Sequence, residues 1–271
     1  MIKDLALKKN VDEVIENHLE KFLTRYFDGL KQELNDPNGR INRKINNPFV
    51  TSAGKEISFY SAFVRSFESS LGNLIEKIAI ELCKKNYIYH NRVSGTISNS
   101  QNNVVSSLMV QYKNNSRSPS IAHFKEIDDA FDNSNKYENF NTSDYYLHDQ
   151  STDVHHLIEL KIGGDLDNKK AEAEKRAILQ QYCLLKNKLG KETKILTHFA
   201  TAYNKDGDGK YWKQNFVRQF FAEDELMIGR AFWNFILKSE NGGEIVEQSF
   251  AFYAEKTHNY LIELRRIHGL S

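Results

Sequence analysis

The stretch from Ser143 to Lys170, SDYYLHDQSTDVHHLIELKIGGDLDNKK, constrains this chain more than any other. An apolar run, Val154 to Ile162, follows a polar turn and precedes two glycines and a basic helix start. Side chains alternate along a strand, so Val154, His156, Ile158, Leu160 and Ile162 share one face, expected to pack on a core. His155, Leu157, Glu159 and Lys161 share the other. Glu159 and Lys161 then stand side by side, roughly 6.6 Å apart along the strand. A strand that interrupts its apolar run with opposite charges is doing something besides packing.

The preceding DYYLHD reads as a second strand and QSTD as the turn of a hairpin. Antiparallel pairing brings Asp144, at the open end of the first strand, beside Glu159 near the end of the second. Two carboxylates so placed repel unless a cation lies between them. A hard divalent ion such as Mg²⁺, with Mn²⁺ as the expected substitute, takes oxygen ligands and acidifies its water. A neighbouring lysine orients or deprotonates that water, or stabilises charge developing on a phosphate. Asp144, Glu159 and Lys161 are therefore matched to metal-assisted phosphodiester hydrolysis. No Walker-type loop or dinucleotide glycine fingerprint competes with that reading.

Around this hairpin the pattern is strongly helical. Val11, Val14, Ile15, Leu19, Phe22, Leu23, Tyr26 and Phe27 predict a helix from about Asn10 to Asn35. A second runs from Ser58 to Lys85 and carries Glu76 one turn after Gly72. Between them NDPNGRINRKINNPF is a loop bearing Arg40, Arg43 and Lys44, either a solvated connector or an arm contacting phosphates. Tyr87 to Val93 reads as a short strand, and the Ser/Asn/Gln-rich residues that follow as mostly loop with room for a short helix. A helix is expected over Ile121 to Phe131, another over Lys169 to Lys188, a buried strand over ETKILTHFATAYN, and helices to the C-terminus. The fold class that follows is α/β (α+β): a mixed sheet flanked by helices, with helical additions. The expected organisation is one domain over 1–271, with a helical arm at 10–57, a catalytic core at 58–203 and a helical elaboration at 204–271.

Lys169 and Lys170, with Lys175 and Arg176, open the helix after the site; they either meet backbone phosphate or form a solvated face balanced by Glu172 and Glu174. Two motifs are decoys. NKDGDGKYW has Asp206, Asp208 and Gly209 spaced as in a calcium loop, but Asn215 stands where the closing Glu is required. His155 and His156 are adjacent on a strand and point to opposite faces, so they are no metal pair.

The elements SD at Ser143–Asp144 and ELK at Glu159–Lys161 resemble the PD-(D/E)XK nuclease superfamily, with Ser in place of the usual Pro. The resemblance implies a restriction-endonuclease-like core, metal ligation by Asp144 and Glu159, and water activation by Lys161. It also implies a helix carboxylate, best matched by Glu76 in GNLIEK, less well by Glu68 or Glu81. The longer string IELKIGGDLDNKKAEAEK also looks like type II restriction endonucleases of the TdeIII type. That implies a homodimer cutting a short palindrome in double-stranded DNA, of the GGNCC kind, and a cognate methyltransferase in the host. A structure-specific or repair nuclease, and an inactive DNA-binding module, are the alternatives. The net charge of +1 leaves DNA binding to local basic patches. Two distant cysteines speak against a disulfide framework or a zinc site, and the N-terminus lacks an apolar run long enough for a secretion signal. The expected setting is the cytoplasm, with no membrane span.

Overall fold

The computed structural model describes residues 2–45, 47–163 and 166–270. Its elements, in order, are α1 (Ile2–Gln32), α2 (Asn42–Ile45), α3 (Pro48–Thr51), α4 (Lys55–Cys83), β1 (Ile88–Ser98), α5 (Asn99–Lys113), α6 (Phe124–Asp129), β2 (Lys136–Asp149), β3 (Val154–Lys161), α7 (Asn168–Leu189), β4 (Lys194–Thr201), α8 (Asn215–Arg218), β5 (Leu226–Ile228), α9 (Arg230–Leu237), α10 (Gly242–Ala251) and α11 (Ala254–Ile267). No helix among the described residues is long and apolar enough to cross a membrane.

Two compact units divide the chain: residues up to Glu81 together with those from Glu244 onward, and Leu82–Gly243. The first is helical. The apolar stripe of α1 buries Leu23, Tyr26, Phe27 and Leu30 against Phe59, Ala62 and Phe63 of α4 and Leu264 of α11. The Phe27 ring stacks on Tyr260 of α11, centroids 4.8 Å apart. Residues far apart in sequence thus share one core.

The second unit carries a five-stranded sheet in the order β1-β2-β3-β4-β5. β1, β2 and β3 pair antiparallel, while β3, β4 and β5 are parallel, so the sheet is mixed as expected. The parallel step from β3 to β4 is made through α7. Asp167 caps this helix by accepting from the Lys170 amide, and Gly190 ends it at φ +106°. On one face Leu157 of β3 packs with Ile178, Leu179 and Tyr182 of α7 and Val105, Leu108 and Met109 of α5. On the other, Tyr145 of β2 meets Phe232 of α9, and His156 of β3 meets Phe235. β3 is buried on both faces along nearly all its length, not on one as its alternation alone suggests. Helix α7 lies so close to β1 that a Cβ on Gly95 would fall 2.2 Å from the Leu184 carbonyl oxygen, which only glycine avoids.

The polar region after Val93 is not mostly loop. β1 continues to Ser98, and α5 follows at once. Ser98 starts the helix with a capping box: its hydroxyl accepts from the Gln101 amide and the Gln101 side chain accepts from the Ser98 amide. Val105, Leu108, Met109 and Tyr112 then form the buried stripe that holds it.

Candidate active site

The β2–β3 ladder runs from Asp149↔Val154 to Tyr145↔Ile158 and goes no further toward its open end. β3 continues alone along β4, with Glu159 opposite Phe199 and Lys161 opposite Thr201. On its other edge β2 loses register with β1. Ser143, Asp144 and Tyr145 stand opposite Asn91 alone, a bulge of three residues against one between His90↔Tyr146 and Arg92↔Thr142. A bulge re-aims side chains and releases a strand from its neighbour. Here it places Asp144 at the mouth where β2 leaves β3. The Asp144 carboxylate accepts from the Leu160 amide at 3.2 Å, taking the place of a ladder acceptor, and its carbonyl accepts from the Tyr89 hydroxyl at 3.4 Å.

Glu159 and Lys161 lie on the face of β3 covered by α7. The Lys161 ammonium donates to Glu159 at 2.5 Å and lies 3.0 Å from Glu174 of α7. Two carboxylates therefore hold one ammonium while Asp144 bears on Glu159, a surplus of two negative charges when all are ionised. The Glu159 carboxyl registers that surplus. Burial, then the charge of Asp144, push it up to about 8 against the pull of Lys161. Burial works against the charge of Lys161, but Glu159 and Glu174 more than reverse it and hold the ammonium above its usual range. The two tendencies oppose each other, since Lys161 needs ionised partners and Glu159 tends toward neutrality. The direction set by geometry is the surplus of negative charge, which a cation would relieve. The donors are oxygens of two strands meeting at an open end, a set that fits a hard divalent ion.

Glu174 is the member that sequence reading passed over. It appeared as a counter-charge on a basic helix face; its position, less than two turns into the helix after ELK, was the available signal. That basic face is itself corrected in part. Lys175 is fully buried and donates to Glu225 rather than facing solvent. Arg176 donates to Ser106 and pairs with Glu172, which also pairs with Lys113. Lys169 and Lys170 are exposed in the first turn of α7.

The remaining candidates belong to the first unit. Glu76 is exposed on α4. Arg40 pairs with Glu33 at 2.9 Å and lies over the Tyr26 ring, so it ties the connector to the end of α1. Arg43 is exposed and donates to the Asn38 carbonyl. The side chain of Lys44 lies outside the described residues. The calcium-like loop is a plain turn, in which Asp206 accepts from the Lys213 amide and Asp208 pairs with Arg230.

A mixed sheet flanked by helices, with a carboxylate–lysine group at the open end of its central β2–β3 hairpin, fits the restriction-endonuclease class, and comparison with known families agrees. The family model described as "Type II restriction endonuclease, HinfI" matches residues 7–251, about nine-tenths of the chain. The chain belongs to this family, whose members are site-specific deoxyribonucleases acting on DNA. Within the type II enzymes the family matched is HinfI; the narrower TdeIII-type resemblance has no counterpart in that match. No curated protein and no solved structure matches the chain.

Proposed function

We propose that the protein is a Mg²⁺-dependent type II restriction endonuclease of the PD-(D/E)XK kind, with its active site at the open end of the β2–β3 hairpin. The observation that carries this is the meeting of Asp144, Glu159 and Lys161 where the β2–β3 ladder ends, beside the bulge between β1 and β2, with more carboxylate than ammonium charge around them. Asp144 and Glu159 would hold the ion. When bound, such an ion acidifies water and neutralises charge on the scissile phosphate.

The chain's own residues set the rest. The Leu160 amide fixes the Asp144 carboxylate, so one ligand is aimed before any cation arrives. Lys161, held between Glu159 and Glu174, acts as a charged donor that orients the attacking water and stabilises the negative charge growing on the phosphate oxygens. Glu174 keeps that ammonium in place. Lys169 and Lys170 lie one turn before Glu174 on α7 and would meet the DNA backbone beside the site.

The expected substrate is duplex DNA at a short palindrome, cut by a homodimer, because a two-fold site is matched by a two-fold protein. A host methyltransferase acting on the same sequence would protect the genome. The test is digestion of phage DNA by the purified full chain. Discrete fragments with Mg²⁺ or Mn²⁺, none with a chelator, and mapped ends that define one repeated sequence are expected. Cleavage undiminished by exhaustive chelation would refute the metal-dependent site.

A further inference from the structure

The closed end of the same hairpin carries a second cluster that the nuclease reading does not use. His148 of β2 and His155 of β3 are directly opposed in the ladder, and their rings stack with centroids 4.1 Å apart. The turn between them brings Asp153 back, at φ +54°, so that its carboxylate lies 2.9 Å from His148 Nε2. One ligand atom from each of the three lies within 4.8 Å of the others. His155 and His156 do point to opposite faces, as strand geometry requires; the partner of His155 is across the ladder and not beside it in sequence.

We propose that His148, Asp153 and His155 form a binding site for a borderline divalent ion of the Zn²⁺ class, separate from the nuclease centre. Two imidazoles and one carboxylate are the donors such an ion selects, whereas Mg²⁺ prefers oxygen alone. Three protein ligands leave a fourth position for water. His155 is already oriented: its Nδ1 is 3.0 Å from the Tyr146 hydroxyl, which leaves Nε2 as the free ring nitrogen, and such an outer partner is what ligating histidines commonly have. Tyr146 is in turn stacked on His90 at 4.7 Å.

The turn is also prebuilt. Asp149 accepts from the Ser151 amide and hydroxyl at 3.0 and 2.7 Å and pairs with Lys238 at 2.8 Å. A tetrahedral ion with bonds of about 2.0–2.1 Å needs its ligand atoms about 3.3 Å apart. That asks for small side-chain rotations and no change of fold, the ion replacing the proton between His148 and Asp153. Along β2 the cluster is four residues from Asp144, about 13 Å. One ion cannot serve both sites, and one held here would tie the hairpin whose other end aims Asp144 and Glu159.

The test is Zn²⁺ titration of the chelator-stripped full chain against a chromophoric chelator, with Co²⁺ absorption as a second readout. Wild type and Asp144→Asn should each bind one tight equivalent of Zn²⁺, and Co²⁺ should give visible bands of low-coordinate nitrogen–oxygen ligation. His148→Ala should weaken binding at least tenfold. Asp153→Asn, which suits the left-handed backbone and leaves the fold intact, should weaken it several-fold and remove the rise in melting temperature that Zn²⁺ gives. No tight equivalent in wild type overturns the proposal. So does a tight equivalent that survives both His148→Ala and Asp153→Asn, or one that is lost in Asp144→Asn. None of these readouts depends on DNA cleavage, so failure here is distinct from failure of the nuclease site.

Discussion

Two of the lysine–glutamate pairs in the sheet unit are opposites. Lys175 and Glu225 are both about 1% exposed. Glu225 also accepts from the Thr197 hydroxyl at 2.6 Å and the Ala222 amide at 2.8 Å, while the Lys175 ammonium lies near the Phe221 ring. That pair is neutral, saturated and sealed. Lys161 and Glu159 lie at a strand opening, with Lys161 29% exposed, shared with Glu174 and accompanied by Asp144. This group is overcharged, unsaturated and accessible. A sealed pair already held by a hydroxyl and an amide has little to offer a ligand; a group with more carboxylate than ammonium charge at an opening attracts a cation. The lysine that looks like a surface cation is sealed in the core, and the one embedded in an apolar strand is the one that the proposed site uses.

The contrast can be broken by substitution. Asp144→Asn should lower cleavage about 1,000-fold, near 4 kcal/mol of barrier, yet leave stability equal or higher, because it removes a charge that repels Glu159. Cleavage and urea unfolding measured on one preparation check this. Lys175→Met should do the reverse. Stranding Glu225 costs about 3–5 kcal/mol of stability, while the folded fraction still cuts. Adding Glu225→Gln should restore part of that loss.

A smaller, graded effect comes from the other face of β3. His156 and His198 are buried and hydrogen-bonded to each other at 3.2 Å. Burial lowers them to about 4 and about 3 respectively, from 6.5. The unfolded chain therefore binds protons that the folded chain refuses. Their stabilisation is complete above about pH 6.5 and is lost as pH falls toward 4 and then 3, at no more than about 2.7 kcal/mol per pH unit for both. Urea midpoints between pH 7 and 5 should fall accordingly, and His198→Gln should flatten the slope. Least of all, Lys169→Ala or Lys170→Ala should weaken DNA binding a few-fold and reduce its salt dependence by about one counterion each. Filter binding at several salt concentrations reads this directly.

Much of the hairpin was legible because strand geometry is local. Alternation put Glu159 beside Lys161, and turn length set Asp144 against them. The bulge was not legible, since it is a mismatch between β2 and β1, whose residues lie some fifty positions apart. Glu174 and Lys175 show the same limit. Adjacent on one helix, they take opposite roles because one meets Lys161 and the other meets Glu225. Helix α5 is a different case. Its capping Ser98 and Gln101 and its stripe of Val105, Leu108, Met109 and Tyr112 follow local rules, which the surrounding Ser and Asn obscured. The helical unit pairs α1 with α11, an association that no local pattern announces.

The most direct test is Lys161→Ala, assayed for single-turnover cleavage of phage DNA in Mg²⁺ beside its unfolding midpoint. Cleavage by the folded variant is expected to fall at least 1,000-fold, with a midpoint below wild type because Glu159 loses the ammonium that offsets Asp144 and Glu174. Cutting at the wild-type rate by a folded Lys161→Ala protein would contradict it.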